Sequence, residues 1–266
     1  MNSKTLISLL KIKEAYGDFP ETVTNITMDS REVDEGSVFV AIRGYQVDGF
    51  DFIPQAIRSG CRFIVTDRHV ELPGGAGLLI VKDPEKVAAL FAEYIYDFPH
   101  ETQTMIGVTG TNGKTTVATM IHNLSRALGK NSAYLGTNGF MLNEDRYGST
   151  NTTPETTRLH KRIQEAHERE TEVFTMEVSS HALGLGRTFG IEYDITIFTN
   201  LTQDHLDFHN TMDEYGYTKG LLFSQMGHNM KDRKYIVLNQ DDPWSARYSK
   251  MTPHEVITYG MTPEAD

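Results

Sequence analysis

The sequence predicts an α/β protein: an N-terminal α/β domain over residues 1–100 and, over 101–266, a mostly parallel, doubly wound domain built around a phosphate-binding loop. Strand-length apolar runs alternate with helical stretches, the pattern of a parallel sheet with helices on its faces. A glycine-rich segment, GVTGTNGKTTV (107–117), joins one such strand to a helix. Further on, polar residues gather just beyond the ends of apolar strands, where open parallel sheets bind ligands.

Element by element, SVFVAI (37–42), RFIVT (62–66) and LLIV (78–81) read as buried strands, each a short apolar run rich in branched residues. DFIPQAIRSG (51–60) and PEKVAALFAEYIYDF (84–98) read as helices, the second opening on Pro84, whose missing N–H costs nothing at a first helical position. YDFPHETQT (96–104), around Pro99, ends that helix and marks the domain boundary. The second pattern runs through a strand TMIGVT (104–109), a helix from Lys114 to about Leu128 stopped by Gly129, and a strand SAYLG (132–136). A helix over 154–169, strands EVFTMEV (172–178) and DITIFTN (194–200), a helix over 213–225, and strands KYIVLN (234–239) and EVITYG (255–260) follow. The closing TYGMTPEAD stops just after a strand, where an α/β domain normally continues, so the sequence reads as a C-terminally truncated piece of a longer protein.

Composition narrows the function classes. At 266 residues the chain is long enough for two cores, and 39% hydrophobic with 23% charged residues is ordinary for a globular protein. No apolar run approaches the roughly 20 residues of a membrane span, and MNSKTLISLLKIKEAYGD lacks the cleavage site of a secretory signal. The single cysteine, Cys61, fits a reducing cytoplasm and reads as a small buried hydrophobe. A net charge of −11 argues against nucleic-acid or membrane-surface partners. Any phosphate site must therefore be built locally, from backbone N–H groups, a few cations and metal ions.

The loop is the sharpest signal. The common phosphate-loop pattern is Gly, four residues, then Gly-Lys-Ser/Thr. Counted back from Gly113-Lys114-Thr115, the first glycine falls on Val108, while the glycines present are Gly107 and Gly110. Strand, loop and helix nonetheless agree. Amides at the helix start favour an anion, Lys114 would reach the terminal phosphates, and the Thr115 hydroxyl suits magnesium. TMEVSSHALGLGR places Glu177 at the end of one strand, and FTNLTQDHLDFH places Asn200, Asp204, His205 and Asp207 beyond another. Glu177 and His205 are thus candidate magnesium ligands, with a helix cap and a packed histidine as their ordinary alternatives. NTTPET (151–156) is a polar cluster ahead of a helix that capping alone could explain.

Taken in order, TGTNGKTT, NTTPE, MEVSSHAL and NLTQDHLDFH resemble the Mur ligase family, whose version of the phosphate loop carries the displaced glycine. The folylpolyglutamate synthetases share GTNGKT. MEVSSH with LGR, DHLD and YGYTKGLLFSQ, together with MDSREVDEGSVFVAIRGYQVDG (28–49), resemble the branch that adds the third amino acid in peptidoglycan precursor synthesis. The resemblance implies an N-terminal UDP-binding domain and a central ATPase domain that is incomplete here. It implies an ATP-dependent amide ligase acting on UDP-N-acetylmuramoyl-L-Ala-D-Glu and an amino acid through an acyl phosphate, a monomer of the cytoplasm serving cell-wall biogenesis, cell shape and division. By the same resemblance Gly110, Thr111, Asn112, Gly113, Lys114, Thr115 and Thr116 bind ATP phosphates. Thr115, Glu177, His205 and Lys219 hold Mg2+, Lys219 as a carbamate, and Lys114, Lys219, His205 and Glu177 form the catalytic set. Ser30 contacts the uridine-sugar end, and Asn151, Thr152, Thr153, Ser179 and Arg187 contact the muramoyl-peptide. For Ser30 and Ser179 a turn or helix cap is the alternative, and for Lys219 a solvated helix lysine.

The adenine-contacting asparagine segment and the C-terminal domain that selects the amino acid are expected to lie outside the chain, which alone is then expected to be inactive. Lysine and meso-diaminopimelate both stay open, with YLGTNGF and NLTQDHLDFH leaning to lysine. The rivals are a folylpolyglutamate synthetase-like ligase and a non-catalytic nucleotide-sugar-binding module.

Overall fold

The structure, a computed structural model, describes residues 1–44, 47–148, 151–261 and 265–266; Tyr45 and Gln46 of the 28–49 stretch, and residues 262–264 of the closing TYGMTPEAD, lie outside the described residues. The chain forms two compact units, Met1–Phe98 with Thr156–Lys161, and Pro99–Glu155 with Arg162–Asp266.

The first unit contains α1 (Ser3–Leu9), β1 (Glu14–Gly17), β2 (Asn25–Thr27), β3 (Ser37–Val40), α2 (Ile53–Arg58), β4 (Phe63–Thr66), β5 (Gly77–Ile80) and α3 (Pro84–Tyr96). Its sheet runs in the order β1-β5-β4-β3-β2, parallel from β2 to β5, with β1 antiparallel at one edge. Successive side chains of a strand point to opposite faces, and here both faces are covered. Val38, Val40, Phe63 and Val65 join Leu6 and Phe91 in one core, while Phe39 and Ile64 join Ile53, Ala56 and Cys61 in the other. That is why these strands read as unbroken apolar runs. Cys61 is buried, and burial pushes its thiol up from its usual range. At the expected boundary, Asp97 and Phe98 take positive φ, and Pro99–Thr102 forms a short 3-10 turn that ends the run of α3.

The second unit contains β6 (Thr104–Thr109), α4 (Lys114–Ala127), β7 (Ser132–Gly136), β8 (Gly139–Leu142), β9 (Asp145–Tyr147), β10 (Val173–Glu177), α6 (Ser180–Gly184), β11 (Ile195–Phe198), α7 (Leu206–His209), α8 (Met212–Ser224), β12 (Tyr235–Asn239), α9 (Ser245–Tyr248) and β13 (Glu255–Tyr259); α5 (Thr156–Glu168) falls in sequence between β9 and β10. The eight-stranded sheet runs β13-β12-β11-β6-β10-β7-β8-β9 and is parallel except for the antiparallel hairpin strands β8 and β9. From β6 the chain crosses to β7, returns to β10 between them, then passes to β11 on the far side of β6. That reversal is the switch point of a doubly wound sheet, and the loops after β6, β10 and β11 open beside it.

The helices lie on both faces of this sheet. Val108 packs with Ala118 of α4, whereas its neighbour Gly107 lies against Leu222 of α8 and Tyr193. Alternation along β6 therefore puts α4 and α8 on opposite faces. Gly107 is thus a strand residue chosen for close packing and is not part of the phosphate cradle.

Candidate functional site

The loop after β6 is held open from below by the segment that follows β11. Thr111 N–H donates to the Asn200 carbonyl (2.7 Å), Asn112 N–H to Asn200 Oδ1 (3.1 Å), and Thr199 Oγ1 donates to the Asn112 carbonyl (2.6 Å). Gly110 has φ +145°, and a Cβ there would sit 1.9 Å from Thr199 Oγ1, so only glycine allows the loop to lie this close to the support. Gly113, at φ +86°, precedes α4 and turns the chain into it. The 14 residues of α4 then begin at Lys114 with no side chain capping them, leaving the first-turn N–H groups available to an anion.

Lys114 Nζ donates to the carbonyls of Gly110 and Thr111, both at 2.9 Å, and Lys219 Nζ, on α8, donates to the same Gly110 carbonyl at 2.9 Å. Two ammonium groups thus share one backbone oxygen beneath the loop. Lys219 is 1% exposed, with its ammonium 4.5 Å from the centre of the Tyr215 ring. Burial pulls its pKa well below lysine's usual value and Lys114 adds to the fall; burial also lowers Lys114, against the opposing pull of Glu177 and Asp204.

Glu177 ends β10 fully buried, accepting from the Thr115 hydroxyl (2.9 Å), Tyr134 Oη (2.5 Å), the Thr137 N–H (2.9 Å) and the Thr137 hydroxyl (3.2 Å). It caps no helix. His205, in the left-handed region at φ 51°, lies half-exposed just before α7, its Nε2 3.5 Å from Asp204 Oδ2 and its ring centre 5.0 Å from that of His181. Asp204 and Asp207 are exposed. Thr115, Glu177, Lys114 and Lys219 therefore meet at the loop, while His205 joins an aromatic cluster with His181 and Tyr215 (5.9 Å).

A second set lies alongside. Thr153, buried, donates its hydroxyl to the Glu177 carbonyl (2.8 Å) and accepts from Ser179 N–H (3.1 Å), and Arg187 Nη1 donates to the Thr153 carbonyl (3.1 Å). Thr152 Oγ1 is 3.1 Å from Thr137 Oγ1, and Asn151 is exposed. Ser179 Oγ accepts from Ala182 N–H and so also caps α6. In the NTTPET cluster, α5 starts after Glu155, whose side chain makes no capping bond. Ser30 lies in the first unit, 5% exposed, donating to Gln55 Oε1 (3.0 Å), next to the Asp29–Arg31 pair whose guanidinium lowers the Asp29 carboxyl's pKa.

Sequence reading missed four residues that shape the site: Tyr134, Thr137, Tyr215 and Asn239. Tyr215 Oη lies 3.2 Å from Thr111 Oγ1, and Asn239 Nδ2 donates to the Thr199 carbonyl at 2.7 Å. For Asn239 a signal existed, an Asn-Gln-Asp-Asp run at the end of an apolar strand; for the tyrosines there was none.

Residues 108–266 match the Mur ligase middle domain, and residues 22–97 match the Mur ligase family, catalytic domain. Over 265 residues the chain is 51% identical to the UDP-N-acetylmuramoyl-L-alanyl-D-glutamate–L-lysine ligase of Staphylococcus epidermidis, covering 100% of this chain and 54% of that protein. The chain spans about half the length of the curated relatives it matches. Among solved structures, a UDP-N-acetylmuramoyl-L-alanyl-D-glutamate–2,6-diaminopimelate ligase superposes with TM-score 0.76 at 25% identity, over 92% of this chain and 50% of the other. The MurF ligase of Thermotoga maritima in complex with ADP shares the fold, with TM-score 0.61 at 21% identity over 90% and 50%. The chain belongs to the Mur ligase family.

Proposed function

We propose that this chain supplies the UDP-substrate domain (1–100) and an incomplete central ATPase domain (101–266) of a ligase that adds L-lysine to UDP-N-acetylmuramoyl-L-Ala-D-Glu, as a cytoplasmic monomer in peptidoglycan precursor synthesis. The observation that carries the reading is the meeting of Lys114, Lys219, Thr115 and Glu177 at one loop of the switch point. The identity to a named lysine ligase supports the choice of amino acid, and the nucleotide in a structural relative supports ATP.

The reaction asks for positioning and charge neutralisation and needs no protein nucleophile. An oxygen of the D-glutamate carboxylate attacks the γ-phosphorus of ATP, the bond to ADP breaks, and the incoming amine displaces phosphate from the acyl carbon to leave an amide. Within the 110–116 loop the amides at the start of α4, which no side chain caps, hold the phosphates, while Asn200 fixes the Thr111 and Asn112 amides, and Lys114 exchanges its two carbonyl acceptors for phosphate oxygens. Thr153, Ser179 and Arg187, already bonded to one another, form the seat for the acyl substrate, with Thr152 and Asn151 beside them. Ser30 belongs to the uridine-sugar end.

The residues fit Mg2+. A hydroxyl and a buried carboxylate 2.9 Å apart are hard oxygen donors of the kind it takes. Thr115, Glu177 and His205 would hold it, with Lys219 as a carbamate. When bound, the ion offsets the charge that accumulates on the transferring phosphoryl group. Only a neutral amine combines with carbon dioxide, and burial, which lowers the Lys219 pKa, favours that form.

The test is calorimetry on the 266-residue chain. Binding of UDP-N-acetylmuramoyl-L-Ala-D-Glu together with magnesium-dependent binding of a non-hydrolysable ATP analogue is expected. Binding of folate in place of the UDP-dipeptide would favour a folylpolyglutamate synthetase-like protein, and sugar-nucleotide binding without ATP a non-catalytic module.

A further inference from the structure

We infer that Tyr134 and Thr137 are positioning residues that aim the Glu177 carboxylate at the metal side of the loop, an inference that rests on the reading of Glu177 as a magnesium ligand. Parallel register sets Tyr134 beside Thr175 and Glu177 beside Val108. Residues in register share a face, so Tyr134, Glu177 and Val108 all point to the side on which α4 carries Thr115. One carboxylate oxygen, Oε1, is taken by Tyr134 Oη at 2.5 Å and Thr137 N–H at 2.9 Å. The other, Oε2, faces the Thr115 hydroxyl at 2.9 Å and the Thr137 hydroxyl at 3.2 Å.

A carboxylate accepts about four hydrogen bonds. Oε1 is held from behind by a backbone N–H and a buried phenol, so rotation that would present it to the loop costs two bonds, whereas Oε2 carries two hydroxyl donors, Thr115 and Thr137, that can turn away. Gly136 makes the arrangement possible: a Cβ there would lie 2.2 Å from Glu177 Oε1 and 2.4 Å from Tyr134 Oη. Every donor to Glu177 is neutral, so the set orients the charge without cancelling it. Outer-shell partners of metal-binding carboxylates act in this way, and their loss costs about 10- to 100-fold in metal affinity.

The experiment measures ADP affinity of the full 266-residue chain by calorimetry, once with Mg2+ and once with EDTA, for wild type, Tyr134→Phe, Thr137→Val and Glu177→Gln. Tyr134→Phe keeps the buried ring, and Thr137 is exposed, so its variant carries no folding risk. The expected result is that Mg2+ tightens ADP binding in wild type, that Glu177→Gln abolishes this gain, and that Tyr134→Phe and Thr137→Val each cut it about 10-fold while EDTA affinity stays at wild type. If Glu177→Gln loses the gain and both other variants keep it, the positioning role is wrong. If both weaken binding equally with and without Mg2+, their role is structural and the inference is overturned. If wild type shows no gain, or Glu177→Gln keeps it, the magnesium reading itself falls and takes this inference with it.

Discussion

Two glutamates are buried among the described residues, one in each unit, and their surroundings differ in kind. Glu93, on α3, lies 2.8 Å from Nε2 of the equally buried His160. Glu177, at the end of β10, accepts hydrogen bonds only from hydroxyls and an N–H, and among the described residues no cationic side chain forms an ion pair with it. An ionised carboxylate out of water is costly unless paired. In the first unit an imidazole stands beside the carboxylate. In the second, neutral donors fix the direction of the carboxylate, and the Lys114 charge acts on it without forming an ion pair among the described residues. A buried anion with neutral donors, beside the loop after β6, is what the proposed magnesium role of Glu177 asks for.

The largest change that would break this contrast is in the first unit. Replacing His160 by alanine leaves Glu93 buried without its imidazole, and loss of one member of a buried pair costs about 3 kcal/mol. Urea unfolding is expected to show that loss, with ADP affinity of the folded variant at wild-type level. A change within error of zero would mean that Glu93 draws its compensation from elsewhere, and the two glutamates would no longer differ.

Next in size is Lys114→Ala. Hydrogen bonds to charged groups contribute about 1.5–3 kcal/mol, so affinity for a non-hydrolysable ATP analogue should fall by roughly 30-fold, equivalent to about 2 kcal/mol. Affinity for the UDP-dipeptide should hold, because its uridine end is assigned to the other unit. Calorimetry reporting equal loss of both ligands would contradict that division.

Glu177→Gln sharpens the comparison from the other side. Removing an unneutralised buried charge while keeping the shape should leave the urea midpoint unchanged or raised, whereas Glu93→Gln should lower it by about 1–3 kcal/mol in unfolding free energy. The reverse order of stabilities would show that Glu177 is the structural anion of the two.

Much of this contrast was legible in the residues, and what was hidden has a physical cause. Strands buried on both faces, β3 and β4 for example, announce themselves as apolar runs. β1 and β9 are exposed at every position and carry no periodic signal, so these edge strands went unread. The phosphate loop was readable because backbone geometry dictates its glycines, and Glu177 because a carboxylate ending an apolar strand needs a reason. Tyr134 could not be found. Its meeting with Glu177 depends on β7 lying next to β10, a pairing of strands far apart in sequence. His160 and Glu93 were invisible for the same reason, each looking like an ordinary helix residue.

The smallest expected effect concerns Lys219, one of two buried lysines among the described residues. Lys219 gives up its proton more readily in the folded chain than its usual 10.5 allows, chiefly because it is buried, and Lys114 adds repulsion. The unfolded chain therefore binds that proton more tightly, and the sign of the linkage makes stability rise with pH until lysine's ordinary value is reached. Lys219→Met, an apolar side chain of similar length, removes this contribution. In buffer free of carbon dioxide the variant should be more stable than wild type near neutrality, and the gap in urea midpoint should close as pH approaches 10.5. In 13C-bicarbonate at neutral pH, wild type should show one carbamate carbon resonance that Lys219→Met lacks, since surface lysines stay protonated there and do not react. A gap that is constant with pH would mean that Lys219 titrates alike in both states, and a missing resonance would remove the carbamate from the proposed magnesium site while leaving Glu177 and Thr115 in the proposal.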